Sequence, residues 1–272
     1  MEETSDKTSQ ASELFMELAS ETRLSILTYL NERPAKLSSL SREVNTTVQD
    51  VYRNLNRLVE EGLVRRSTDS MFHLTEYGMI VMKQIPDFMF MKENKKFFDD
   101  HSLVGVISDK FVQRIGALYN CKKISSVTAV MERLKKLESS TKKQLRIMVS
   151  QGWAEEGRII VELSMHGIQV QSIVGKNTIM PKEIIDSIRR VIEKMPTTNQ
   201  NMQTKMIEKI DVALYISDEQ EAAVMFPNVM GEIDMSTIFI GSDPVFYEWC
   251  SDLFNHYWES GGYFDVRKTI IV

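Results

Sequence analysis

Four histidines and two cysteines carry most of the covalent chemistry open to this chain. Phosphodiester hydrolysis by an imidazole nucleophile needs a histidine and a lysine two residues apart on a strand, one attacking phosphorus while the other holds the charge. His73 is followed by Leu74-Thr75, His101 by Ser102-Leu103, His166 by Gly167-Ile168 and His256 by Tyr257-Trp258, so the sequence holds no such pair. Gly175-Lys176 lacks the earlier glycine and the following hydroxyl of a phosphate-cradling loop, and no glycine-rich dinucleotide fingerprint occurs. Cys121 and Cys250 show no paired spacing, which argues for buried reduced thiols over a disulfide or a structural zinc site. Asp99 and His101 have no second cluster within helical reach to complete a metal site, and His101 reads as a hydrogen-bonding structural residue. The expectation is a protein that is not an enzyme, with no cofactor and no metal.

Recognition chemistry is better represented, in Asn45 to Val64 (NTTVQDVYRNLNRLVEEGLV). Val48, Val51, Leu55 and Leu58 recur at three-then-four spacing and form one helical stripe, while Gln49, Arg53, Asn56 and Arg57 project from the other side. Thr47 is placed to cap the first turn with Asp50 as partner of a short capping box, and Gly62 ends the helix with a residue tolerant of positive φ. An amide at Gln49 and a guanidinium at Arg53 can read base edges in a bidentate way, with Tyr52 beside them. Asn56, Arg57, Arg65 and Arg66 are suited to phosphates. The competing reading is the solvated side of a surface helix.

The elements around this helix follow from periodicity and punctuation. Ser12 to Ala19 carries Leu14, Phe15 and Leu18 at helical spacing; Ser20 then caps a second helix, Glu21 to Asn31, striped by Leu24, Leu27 and Leu30 and closed by Pro34. Leu37, Leu40 and Val44 mark a short third helix, and Asn45-Thr46 makes the turn, giving a helix-turn-helix. Leu63 to Arg66 and Met71 to Leu74 flank the polar turn Ser67 to Ser70, a hairpin with arginines at its base.

LASETRLSIL, then LSSLSREVNTTVQDVYRNLNRLVEEGLVRR, then FHLTEYG resembles the winged helix of the ArsR-like bacterial and archaeal transcriptional regulators, over roughly the first eighty residues. The resemblance implies that the helix from Thr47 to Glu61 enters the major groove and that the wing contacts the neighbouring backbone or minor groove. The cysteine and histidine clusters of the family's metal sensors are missing, so metal sensing is not expected. Thr75 to Phe98 has a helical pattern broken at Pro86, with Met79, Met82, Met89 and Met91 beside Ile80, Phe88 and Phe90. It can pack on its own domain or form the dimer seam that a two-fold operator calls for.

From residue 97 onward the chain resembles the carboxy-terminal domain of an archaeal regulator family first associated with methanogenesis regulators. The matching stretches are FFDDHSLVGVISDKFVQRIGAL, GRIIVELSMHGIQVQSIVG, ALYISDEQEAAVMF and FIGSDPVFYEWCSDLFNHYW. This implies an α/β domain of phospholipase-D-like architecture, catalytically silent here. The residues read the same way: helices over Ile124–Leu137, Ala154–His166, Pro181–Met195 and Pro244–Glu259, and strands over Leu145–Val149, Ile168–Val174, Val212–Ile216, Ala222–Phe226 and Thr237–Gly241. Pro196 to Gln203 is a polar loop. Tyr247, Trp249, Tyr257 and Trp258 can wall an effector pocket or fill the core.

The expected fold class is α/β with an N-terminal winged helix, in two domains, with a mixed sheet covered by helices in the C-terminal domain. Residues 1–82 are expected to be the DNA-binding domain, 83–143 a helical linker and dimerisation region, and 144–272 an α/β sensor or regulatory domain. The net charge of -5 is unusual for a protein that coats nucleic acid, but a regulator needs only one basic face. Basic residues gather at Arg53, Arg57, Arg65 and Arg66 and again over Lys110 to Arg146, a run that suits either a wider DNA footprint or a solvated face. The acidic amino terminus argues against a secretory signal, and no apolar run approaches the about 18 residues of a membrane span. A cytoplasmic homodimer that binds double-stranded DNA is expected, with a small-molecule effector or protein partner at the C-terminal domain and no membrane contact. The alternative is a winged-helix protein-interaction module of the transcription machinery.

Overall fold

In the computed structural model the chain divides into two compact units, Met1–Pro86 and Asp87–Val272, each with its own core. Residues 2–186, 201–218, 221–265 and 268–271 are described. The fold is mixed α/β: a helical first unit with a small hairpin, and a second unit built on a mixed sheet with helices on both faces.

The first unit runs α1 (Glu2–Leu18), α2 (Glu21–Glu32), α3 (Leu37–Glu43), α4 (Val48–Glu60), β1 (Val64–Arg66), β2 (Phe72–Leu74) and α5 (Glu76–Met82). Ser20 caps α2 by accepting from the Arg23 N–H at 3.4 Å, and Thr75 caps α5 through the Gly78 N–H at 2.9 Å. Ile26, Leu27, Leu40, Val51, Leu55 and Leu58 are completely buried between the helices. The hairpin is held to them by reciprocal Ala35–Phe72 backbone bonds of 2.8 and 3.1 Å, a bridge with no strand pattern around Ala35 to announce it. Pro86 sits in the first turn of α6 (Ile85–Glu93), where its missing N–H is harmless, and the expected break falls just before it, at Lys83-Gln84.

Residues 83–143, expected as a linker, do not stand apart. Phe90 of α6, Phe97 of α7 (Lys95–Asp100), Phe111 of α8 (Asp109–Val112) and Ile115 and Leu118 of the following 3₁₀ turn are core residues of the second unit. Lys122–Ser125 is a strand, β3, so the helix expected from Ile124 begins instead at Val127, as α9 (Val127–Ser139). β4 (Gln144–Gln151), α10 (Ala154–Met165), β5 (Gln169–Met180), β6 (Met202–Ile207), β7 (Ala213–Ser217), β8 (Glu221–Met225), β9 (Thr237–Gly241), α11 (Pro244–Ser260), β10 (Gly262–Tyr263) and β11 (Ile270–Ile271) follow. Of the helix expected over Pro181–Met195, residues 182–186 are helical and the remainder lies outside the described residues, as does most of the loop expected over Pro196–Gln203, whose end is already in β6.

The sheet order is β10-β6-β5-β4-β7-β8-β9-β3, with β11 beside β5. β4, β5 and β6 are parallel, while β4-β7-β8-β9-β3 is antiparallel throughout. Alternate residues of the central strands enter opposite cores. Met148, Leu214, Ile216, Ala222 and Val224 face α11; Leu145, Ile147, Ala213, Tyr215 and Ala223 face α9 and α10. Burial on both faces explains why these strands read as apolar runs. Asp243 caps α11 with Pro244 in its first turn, and Trp249 is fully buried, donating from Nε1 to the Phe111 carbonyl at 3.1 Å. Tyr247, Tyr257 and Trp258 pack against the same core, so of the two readings of this aromatic group the packing one holds.

Candidate nucleic-acid interface

The geometry of α4 is set at both ends by local chemistry. Asn45 takes φ 50°, a left-handed turn that its short polar side chain tolerates, and so redirects the chain from α3 into α4. Thr47 Oγ1 accepts from the Asp50 N–H at 3.1 Å and donates to Asp50 Oδ2 at 2.7 Å. This is half a capping box: the Asp50 carboxylate meets the hydroxyl rather than the Thr47 N–H. Its other oxygen accepts from Arg53 Nη2 at 2.6 Å. Gly62, at φ 72°, turns the chain into the hairpin.

Val51, Leu55 and Leu58 are buried, but Val48, expected in the same stripe, is 51% exposed. It lies in the first turn, before the helix reaches the core, and faces outward with Gln49, Tyr52, Arg53 and Asn56. The Arg53 side chain is 75% exposed despite its contact with Asp50, so its guanidinium is free to leave that carboxylate.

Arg57 belongs to a different arrangement. Its Nη2 bonds Glu17 Oε1, a carboxylate only 4% exposed on α1, whose other oxygen lies 2.9 Å from Arg23 Nε. Arg23 also donates to the Glu17 and Met16 carbonyls at 3.0 and 2.7 Å and to Asn54 Oδ1 at 3.3 Å, while Asn54 Nδ2 donates to the Asp50 carbonyl at 2.8 Å. Glu17, Arg23, Asn54 and Arg57 thus tie α1, α2 and α4 together. Arg57 is half spent on holding the helix. The signal that was missed is Glu17 itself, an acid three residues after Leu14 and next to Leu18, where an apolar stripe is expected.

In the hairpin, Arg65 pairs in register with His73 and Arg66 with Phe72. Arg65 is exposed and carries no ion pair among the described residues. The Arg66 guanidinium reaches Ser70 Oγ at 3.3 Å and lies 5.8 Å from the Phe72 ring centre. The turn between them is ordered by Ser67 and Asp69: hydrogen bonds from the Ser67 hydroxyl and the Met71 N–H hold the Asp69 carboxyl below its ordinary range.

The second basic run is largely engaged within its own unit. Arg114 pairs with Asp252 at 2.7 Å, Arg133 with Glu221 and Lys135 with Glu155, and Arg146 donates to Tyr247 Oη and Ser251 Oγ. His101 bridges the Phe97 carbonyl at 2.9 Å and Asp234 Oδ2 at 3.1 Å, the structural role its surroundings predict. The histidine–lysine contact present among the described residues, Lys110 Nζ to His256 Nδ1 at 3.4 Å, joins α8 to α11 at the surface rather than neighbouring positions of one strand. Burial pushes the thiols of Cys121 and Cys250 up, away from thiolate chemistry. Among the described residues no three metal-ligating side chains converge, and no helix is long and apolar enough to cross a membrane.

Residues 12–95 match the family model described as the HVO_A0261 N-terminal domain. No curated protein is significantly similar to the chain. Among solved structures it is similar to TrmBL2, described as an archaeal chromatin protein with a novel mode of DNA binding, at 10% identity and TM-score 0.40 over 88% of this chain and 92% of that one. It is similar to Nuc from Salmonella typhimurium, a phospholipase D family member, at 13% identity and TM-score 0.40 over 53% of this chain and 96% of that one. HlyU from Vibrio cholerae aligns at 25% identity and TM-score 0.25 over 28% of this chain and 86% of that one.

Proposed function

We propose that this chain is a sequence-specific DNA-binding transcriptional regulator that reads the major groove with α4 and is regulated through its second unit. The outward face of α4 carries the reading: Gln49, Tyr52, Arg53 and Asn56 are exposed on a capped helix whose opposite face is packed, with Arg65 and Arg66 at the base of the hairpin that follows. Gln49 and Arg53 serve base edges, and Val48 adds methyl groups suited to a thymine methyl. Asn56, Arg65 and Arg66 hold phosphates, with a smaller share from Arg57. Thr47 and Asp50 set the first turn and the resting position of Arg53. Tyr77, Met79 and Ile80 are exposed on α5 and supply the seam of a homodimer, which a two-fold operator requires. The second unit acts without catalysis, as the seat of an effector or protein partner.

Arg53→Ala tests the base-reading role: affinity for the operator, found by footprinting on the chain's own promoter, should fall by about 1–3 kcal/mol with relaxed preference at one position. Arg65→Ala should weaken operator and random DNA alike and reduce the salt slope by about one unit. Equal losses on both DNAs for Arg53→Ala sink the base-reading role. Met79→Glu should shift the protein towards monomer in sedimentation equilibrium.

A second reading is favoured by one observation. Val48, Tyr52 and Val59 give α4 an exposed apolar content unusual for a phosphate-facing helix, as a surface for docking on a protein of the transcription machinery would have. Promoter binding that does not depend on salt, or no promoter binding at all, would favour this reading.

A further inference from the structure

On the α10 side of the sheet two hydroxyls stand where apolar side chains would pack. β5 presents Val170, Ser172 and Val174 to that face, and β6 presents Met202, Thr204 and Met206. Ile147 of β4, Ser172 and Thr204 are in register, so the two hydroxyls sit in one row across three parallel strands. Ser172 is 6% exposed. Neither hydroxyl has a hydrogen-bond partner among the described residues, and neither oxygen is sealed off as Glu138 Oε1 is. On a strand the neighbouring backbone groups are taken by the ladder, so a buried hydroxyl must find its partner elsewhere. Both residues line a cavity of about 40 Å³ whose walls include Ile147, Ile160, Met180, Ile184 and Phe264. At about 10–15 Å³ for each water-sized group, that is room for roughly three or four non-hydrogen atoms.

We propose that this cavity binds a short aliphatic alcohol, its hydroxyl between Ser172 and Thr204 and its carbon chain against Ile147, Ile160 and Ile184. An alcohol donates to one of these oxygens and accepts from the other, so a single group satisfies both. A carboxylate or phosphate would find no positive side chain in the lining among the described residues. The carboxyl in the lining, Glu156, is already engaged: it accepts from Tyr215 Oη at 2.9 Å and from the Trp153 N–H at 3.2 Å, and it hydrogen-bonds Glu138. Burial pushes Glu156 up to about 7, so at pH 6 the wall is largely uncharged and offers an ammonium group little counter-charge. Water alone would meet the two hydroxyls but leave the surrounding hydrocarbon without contacts. The site lies in the unit read above as the seat of an effector, and it rests on that reading for its use in the cell.

The test is a nuclear magnetic resonance titration of the full chain, isotope-labelled at its isoleucine methyl groups, at pH 6 and without DNA, so a failure here leaves the DNA-binding reading untouched. The probes are n-propanol, n-propyl chloride, sodium propionate and n-propylammonium chloride at matched ionic strength. Propanol should move the Ile147, Ile160 and Ile184 signals along one saturation curve, with a Kd on the order of a millimolar, and leave Ile26 of the first unit unmoved. Propyl chloride, of the same length but with no hydroxyl, should bind about fivefold more weakly, and the two ions should not bind. Ser172→Val puts on that face the side chain that Val170 and Val174 already place there, and should abolish binding while leaving the second unit at least as heat-stable. If that variant does not fold, the ratio of propanol to propyl chloride on the wild-type chain decides. No saturable shift, equal affinity for propyl chloride, tighter binding of either ion, or a folded Ser172→Val variant that binds propanol as the wild type does would overturn the proposal.

Discussion

Glu17→Gln tests the network behind the recognition helix. The carboxylate is nearly inaccessible and serves two guanidinium groups, Arg23 Nε at 2.9 Å and Arg57 Nη2. An amide keeps the shape but removes the charge and aims a donor at one of two cations. Removing one member of a buried ion pair commonly costs about 3–5 kcal/mol, because the remaining charge is left uncompensated. Here Arg23 retains the Met16 and Glu17 carbonyls and Asn54 Oδ1, and the half-exposed Arg57 can turn to water. The expected cost is therefore about 2 kcal/mol. For a unit of this size that lowers the melting temperature by roughly 10 °C. Calorimetry of the full chain should show the transition of Met1–Pro86 moving down and that of Asp87–Val272 unmoved. A cycle with Arg57→Ala should give a coupling of about 1 kcal/mol. A shift under about 2 °C, or equal shifts in both transitions, would refute the claim that Glu17 holds α4 in place.

Three further outcomes follow from single contacts. Gly78→Ala would drive a Cβ into the Leu63 carbonyl oxygen, which is fixed by the Thr75 N–H at 3.0 Å, and should cost about 3 kcal/mol in urea unfolding of the first unit; a loss below about 1 kcal/mol means the hairpin gives way easily. Thr47→Ala removes the cap of α4 and should cost about 1 kcal/mol, read as faster amide exchange in the first turn of α4. The raised Glu156 carboxyl means the native state keeps a proton that the unfolded chain gives up above 4.5, so its contribution to stability should be lost as pH rises from about 4.5 to about 7, by on the order of 3 kcal/mol, with the raised Glu138 beside it adding a loss of the same sign. Glu156→Gln should flatten that slope for the second unit, and unfolding midpoints at several pH values that keep it would contradict the assignment.

Much of the first unit was legible because its signals are local. Thr47 and Gly62 mark the ends of α4, Ser20 the start of α2, and a polar turn between two short apolar-containing runs gives the hairpin. The central strands of the second unit were equally plain, since β7, β8 and β9 are short apolar runs between breakers. β3, KKIS, and β6, MQTKMI, were not, because strands with few fully buried residues carry more polar side chains and lose the apolar signature. Residues 83–143 looked like a linker because α6, α7 and α8 are short and their apolar residues lack a single clean stripe, yet Phe90, Phe97, Phe111, Ile115 and Leu118 fill one side of the sheet's core.

The sequence by itself determined the helix-turn-helix and hairpin, the alternation that builds the sheet, and the polar set on α4, because caps, turns and periodicity act over a few residues. Tertiary structure decided which polar residues are free. Arg57 is drawn to Glu17, 40 positions away, whereas among the described residues Arg53 meets its neighbour Asp50. Val48, in the first turn of α4, is left half exposed. Glu138 and Glu156 become a pair only when α9 and α10 are laid on the same face of the sheet. A side chain's charge is written in its type, but what that charge does depends on partners that only packing brings within reach.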